Sequence, residues 1–304
     1  MNPSSLLCLL AAWTLSPLLL GIINRTKAVF AGRRGSPLLQ PYHDLLKLFR
    51  KDLVISRTTT WVFVAGPLAG CAILGMSTFL IPFGGSPSIL RFSGDMILFA
   101  YLLGLARFMT VLAALDTGSS FEGMGASREV QFSALAEPTL FLALAGLTLS
   151  TGELSLSGLF SANSTLHRGG MAVPLALIAV ALFILFLAEN ARIPVDDPNT
   201  HLELTMIHEV MVLDHSGPLL GLIQYGAALK LWVLGAILWN TLWPFSTGHN
   251  GADAGIALVG MMGLAVGVGV VESVMARLRL LRVPALLTGA GALALISLIF
   301  IARL

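Results

Sequence analysis

Charge is scarce in this sequence: Asp, Glu, Lys and Arg make up 11% of 304 residues, 56% are apolar, and the mean hydropathy is +0.86. A soluble domain carries about a quarter charged residues, so a water-soluble fold is excluded. Cysteine is nearly absent as well. Cys8 and Cys71 lie far apart inside apolar runs, without the paired or fourfold spacing of a zinc or iron–sulfur site, and no metal cluster is expected. Gly-rich nucleotide loops and an HExxH pattern are missing too. The opening MNPSS has no basic n-region, and the apolar stretch behind it has no clear small-residue cleavage signal. It therefore reads as a first span rather than a signal peptide. Neither a fixed-period repeat nor a duplicated pair of broken helices, the mark of many secondary transporters, is present.

What the sequence does have is long apolar runs. Across ~30 Å of hydrocarbon a backbone must satisfy its own hydrogen bonds, so runs of roughly 20 residues have to be helices. The expected fold is a single all-α integral membrane domain over residues 1–304 of about eight helices, with spans near 5–23, 61–82, 95–115, 132–150, 171–190, 219–243, 254–274 and 284–302. Between the first two spans lie Arg25, Lys27, Arg33, Arg34, Lys47, Arg50, Lys51 and Arg57, whereas the next connection has only Arg91. Alternation puts Arg128, Arg192, Arg277, Arg279 and Arg282 on the first side, against Arg168 and Arg303 on the other. The excess of Lys and Arg predicts that the first side is cytoplasmic and that both termini face outward. Loops 24–60 and 189–218 are then cytoplasmic. In PYHDLLKLFRK, Leu45, Leu46, Leu48 and Phe49 interleave with Asp44, Lys47, Arg50 and Lys51, which predicts a short amphipathic helix at the interface. Its basic face suits anionic lipid or a docked partner. The outward connections 83–94, 151–170 and 244–253 read as simple turns.

Arg107 falls midway along the third span and Lys230 midway along the sixth. Each costs on the order of 2.5–3.5 kcal/mol at the bilayer centre and should face the bundle interior. Asp116, Glu129, Glu137, Glu189 and Glu272 all fall at or just inside the cytoplasmic ends of spans. Carboxylates on one side with two cations deeper in fit a proton or cation pathway; structural ion pairs between helices are the alternative. The connection AENARIPVDDPNTHLELTMIHEVMVLDHSGP is the most polar of the chain. Glu189 and Arg192 stand at i and i+3, a pairing distance on a helix that Pro194 then ends. After a turn at Asp196, Asp197 and Pro198, a second short helix capped by Asn199 or Thr200 would align His201, Thr205 and Glu209, with His208 near the same face. That face suits proton relay or partner contact better than metal binding.

At these residues the chain resembles the subunit 1 family of respiratory complex I and, more closely, the membrane subunits of formate hydrogenlyase and energy-converting nickel–iron hydrogenases. RRGSPLLQPYHDLLKLFRK is similar to the family's first cytoplasmic loop, with Arg34, Gly35, Pro37, Gln40, Asp44 and Lys47 at matching positions. LDTGSSFEGMGASREVQFSALAEP is similar to its third-to-fourth connection, matching at Arg128, Glu129 and Glu137, and VESVMARLRL has the wording of the hydrogenase branch. Glu189, Arg192, Pro194, Asp196 and Glu203 match the complex I pattern, whereas Asn199 and His201 stand where glutamates are usual and Asp214, His215 and Ser216 replace a Glu-Tyr-Ser.

The resemblance implies a subunit of an oxidoreductase complex in the inner (cytoplasmic) membrane, with no redox cofactor of its own. Nickel–iron and iron–sulfur centres would sit in peripheral hydrogenase-like large and small subunits, beside antiporter-like membrane subunits and lipid, with no nucleic acid. Electron transfer there would be linked to proton or sodium translocation, and the altered loop points away from quinone as the acceptor. A quinone-reducing dehydrogenase and a passive membrane anchor are the alternatives. The implied pathway runs through Arg107, Asp116, Glu129, Glu137, Glu189, Arg192, Asp196, Glu203, Lys230 and Glu272. Docking falls to Arg33, Arg34, Gln40, Asp44, Lys47, Arg128, His201, His208 and Glu209.

Overall fold

The structure, a computed structural model, describes residues 3–166, 171–196 and 206–303. Among these the chain is helical, with no strand beyond an isolated bridge between Phe83 and Ser86. The helices are α1 (Pro3–Phe30), α2 (Gln40–Phe49), α3 (Trp61–Ser77), α4 (Asp95–Asp116), α5 (Ser120–Thr151), α6 (Leu156–Leu166), α7 (Ala172–Glu189), α8 (Gly217–Leu242), α9 (Asn250–Val274) and α10 (Val283–Arg303). All but α2 and α6 are long and apolar enough to cross a membrane, which makes eight. The connection 31–60, the described parts 190–196 and 206–216 of the next, and 275–282 share one side of the bundle, called here the basic side.

Three features differ from the sequence reading. The GASRE segment is not a connection: α5 begins at Ser120, is 32 residues long, and at 1.5 Å per residue extends about 48 Å. Its first turns therefore leave the ~30 Å hydrocarbon layer on the basic side, where hydropathy no longer registers a helix. The connection after α5, expected as a simple turn, contains α6. The buried Asp95 carboxylate accepts hydrogen bonds from the Leu156 amide (2.6 Å) and Ser155 Oγ (3.0 Å), which satisfies donors at the start of α6. Finally, α7 stops inside the bundle. Its last residue, Glu189, meets side chains in the middle of α4 and α8, so the chain leaving it is irregular backbone at membrane depth, tolerated where it lines a cavity.

The expected amphipathic helix is α2, which has no buried residue and lies against α1 and α8. The bundle core gathers Phe99, Leu144, Ile178, Leu185 and Ile237 from α4, α5, α7 and α8. Close approaches rest on missing side chains. A Cβ at Gly269 would stand 2.6 Å from Thr26 where α9 crosses α1, and one at Gly125 would stand 2.2 Å from Val210. The second contact lets the 206–212 segment lie directly on α5.

Candidate functional site

Arg107 is 8% exposed on the inner face of α4. A guanidinium offers donors in a flat fork, and here three carboxylates surround it. Nε pairs with Glu129 Oε1 at 3.0 Å, Nη1 with Glu137 Oε1 at 2.5 Å, and Nη2 with Glu189 Oε1. Glu189 Oε2 also forms an ion pair with Lys230 Nζ of α8 at 2.7 Å. On the other side, Glu129 Oε2 accepts His208 Nε2 at 3.1 Å, and His208 Nδ1 faces Asp196 Oδ2 at 3.6 Å. Asp196 accepts Arg277 Nη2 at 2.9 Å and the amides of Ile207 and His208 at 3.2 Å. The result is an unbroken line from Lys230 through Glu189, Arg107, Glu129, His208 and Asp196 to Arg277. It draws on α4, α5, α7, α8 and the basic-side connections.

Counting Glu137 beside Arg107, four carboxylates face three fixed cations, so a protonated His208 makes the balance even. Burial works against charge on His208, but Glu129 and Asp196 outweigh it and push its pKa up to about 9 from an ordinary 6.5. Burial also works against charge on Asp196, yet the His208 ring and amide and Arg277 hold its carboxyl below the usual range. A second cluster lies nearby: Glu272 of α9, its side chain fully buried, takes Lys27 Nζ of α1 at 2.8 Å and Arg192 Nη1 at 3.4 Å.

A cavity of about 630 Å³ adjoins the line. Arg107, Glu129, Glu189, Arg192, His208 and Lys230 form its polar part, and Pro17, Leu20, Leu45, Leu74 and Leu222 its apolar walls under α2. Among the described residues no three of His, Cys, Asp and Glu gather as a metal site would need.

The structure thus joins Arg107, Glu129, Glu137, Glu189, Asp196, Lys230 and His208, and places Arg192 with Glu272. It does not bring Glu189 to Arg192. Ala191, at φ 51°, ends α7, with the Arg192 amide bonded to the Leu187 carbonyl (2.9 Å) and the Ala191 amide to that of Ala188 (3.3 Å). This left-handed cap swings Arg192 away from the helical i+3 position. Asp116 stands apart from the line, accepting hydrogen bonds from Thr60 N (2.7 Å), Thr60 Oγ1 (2.7 Å) and Phe63 N (3.1 Å) to hold the start of α3. Of the residues read as docking groups, Arg33, Arg34 and Lys47 are exposed, while Gln40 donates to Asp44 (2.8 Å). Arg128 donates to the Met206 carbonyl (2.9 Å), bracing its own chain. The helix expected to carry His201 through Glu209 is a 3-10 turn over Glu209–Val212 in its described part; His201 and Glu203 lie outside the described residues. Sequence reasoning missed Arg277, Lys27 and Glu122, whose Oε1 accepts the Asp214 amide at 2.9 Å. The first two carried only an orientation signal, as basic residues at span ends.

Fold and site together define an all-α membrane protein whose spans are pinned by buried ion pairs reaching one face. Residues 4–302 match the NADH dehydrogenase family, and the chain belongs to that family. It is 33% identical over 238 residues to hydrogenase-4 component C of Escherichia coli (strain K12), covering 76% of this chain and 72% of that protein. It is 30% identical over 279 residues to formate hydrogenlyase subunit 4 of the same organism, with 89% of each covered. A subunit of the NADH-quinone oxidoreductase of Rubrobacter xylanophilus is 28% identical over 207 residues, 68% of this chain and 61% of that one. The fold is shared with a chain of the membrane-bound sulfane sulfur reductase, an archaeal respiratory membrane complex, at a TM-score of 0.83 and 22% identity over 98% of both chains. The protein is accordingly a membrane subunit of a respiratory complex of the complex I-like or membrane-bound hydrogenase type.

Proposed function

We propose that this chain is the coupling subunit of a membrane-bound hydrogenase-type complex in the inner membrane. Peripheral subunits with nickel–iron and iron–sulfur centres dock on its basic side, the cytoplasmic face, both termini lie outside, and redox turnover there drives proton or sodium movement. The observation that carries this reading is the unbroken line of charges between the 190–216 connection and Lys230. Buried charges are costly, and a passive anchor has no use for a continuous set leading to the docking side. A shift of His208 or Asp196 under a docked subunit changes the field at Glu129 and, one contact further on, at Arg107 and Glu189.

The test is Glu189→Gln in sealed vesicles carrying the whole complex. Hydrogen turnover should persist while the associated pH change or sodium uptake falls at least about tenfold, the scale of losing one charge partner. Ion movement at the wild-type ratio would leave the chain an anchor.

The cavity favours a second reading, in which the complex reduces quinone. Its apolar walls suit a lipid-soluble tail and its polar part a hydrogen-bonding head group. Deleting the chain separates the two: loss of hydrogen turnover supports the first reading, and loss of quinone reduction the second.

A further inference from the structure

A carboxylate stands on the outside of the bundle at membrane depth. Glu137 lies about 21 Å inside the outer end of α5 at 1.5 Å per residue, yet its side chain is 46% exposed. Oε1 pairs with Arg107, whereas Oε2 has no partner among the described residues. The other two carboxylates on Arg107 are each shared with a second cation, Glu129 with His208 and Glu189 with Lys230. Around Glu137 the surface is apolar and aromatic. Tyr101 and Phe108 of α4 are 67% and 54% exposed, and Tyr101 meets Phe141 of α5 edge-on at 6.1 Å. Gly104 and the exposed Ala134 flank the carboxylate, and a Cβ on Gly104 would already stand 3.3 Å from Glu137 Oε1. Small residues beside a polar group are what allows a second helix close approach and a hydrogen bond inside a membrane. The exposed face of α10, with Leu295, Ile296, Ile299 and Phe300, carries no such group and is what a lipid contact needs.

An open carboxylate oxygen in hydrocarbon lacks both water and a donor, and intramembrane carboxylates face a partner or a wet cavity. We infer that the seam between α4 and α5 is covered by a transmembrane helix of another membrane subunit, whose basic side chain donates to Glu137 Oε2. A second copy of this chain does not fit, because its cations at that depth, Arg107 and Lys230, are turned inward. The inference rests on the chain being a complex subunit and identifies the surface through which it meets its membrane neighbour.

The experiment replaces Phe141, and separately Ile296, with p-benzoyl-L-phenylalanine in the intact complex, followed by irradiation in native membranes and mass spectrometry of the adducts. Position 141 should capture a transmembrane peptide of another subunit that contains Lys, Arg or His, and position 296 should capture lipid. Glu137→Lys should lower recovery of that subunit about tenfold, as reversing one charge of a contact pair does. Changing the captured peptide's basic residue to Glu should restore it. Lipid, a second copy of this chain or a peripheral subunit at position 141 of an assembled complex overturns the inference. A chain that purifies without other subunits overturns this inference and the proposed function together.

Discussion

His208 sits between Glu129 and Asp196 at 3.1 and 3.6 Å, and its raised pKa has a definite sign for stability. A histidine that titrates at about 9 in the folded chain and near 6.5 when released favours docking of the 206–212 segment fully below about pH 6.5. That contribution is lost as the pH rises through about 9. Hydrogen exchange of this segment should therefore accelerate in the alkaline range in the wild type, whereas His208→Gln should show a flatter profile and faster exchange already at neutral pH. An unchanged profile in the variant would mean that His208 does not hold the segment. At this scale the sequence was partly legible. Arg107 and Lys230 stand out because a charge in an apolar run has no neutral explanation. Their partners were legible only as a set, Asp116, Glu129, Glu137, Glu189 and Glu272, of which Glu129, Glu137 and Glu189 meet the two cations; which carboxylate meets which cation depends on rotation about each helix axis. The Glu189 and Arg192 spacing misled for a local reason: Ala191 adopts a left-handed φ of 51°, where glycine is the usual signal, so nothing in the string marks the cap.

Among the elements, α1 and α3 carry internal prolines, Pro17 and Pro67, and both line the cavity. Proline lacks the amide that would bond the carbonyl four residues earlier, so Pro17 frees that of Trp13. Tyr225 of α8 donates its hydroxyl to this carbonyl at 2.8 Å, tying α8 to α1 one turn before the proline. Tyr225→Phe should destabilise the chain by about 1 kcal/mol, the usual net worth of one such bond, seen as a lower thermal midpoint in detergent. Pro17→Ala combined with Tyr225→Phe should lose little more than Pro17→Ala alone, because the restored amide takes the carbonyl. The eight spans themselves were legible because their composition leaves few alternatives. The basic-side ends of α5 and α7 were not, because one helix continues beyond the hydrocarbon and the other stops short of its edge.

For the molecule as a whole, Arg107 ties α4 to α5 and α7, and through Glu189 to α8. Arg107→Leu leaves three carboxylates facing one another around a single remaining lysine and His208. Breaking a buried pair this way costs about 3–5 kcal/mol, so the variant chain should accumulate poorly in membranes, read by quantitative blotting. Arg107→Lys should recover part of the loss, since an ammonium supplies charge but not the flat fork that meets three carboxylates. Wild-type accumulation of the leucine variant would assign the cluster no structural role.

The order in which the charges emerge during synthesis has its own consequence. α4 and α5 are joined by residues 117–119 alone, so Arg107 enters the bilayer with Glu129 and Glu137 following on the next helix, and the two spans can partition as a hairpin in which one guanidinium is shared between two carboxylates. Glu189 reaches the membrane before Lys230 has been translated and depends on Arg107 until α8 arrives, while Asp196 waits longer still for Arg277. Biogenesis of this subunit thus includes a provisional pairing, in which Arg107 of the early hairpin holds Glu189 until Lys230 is made.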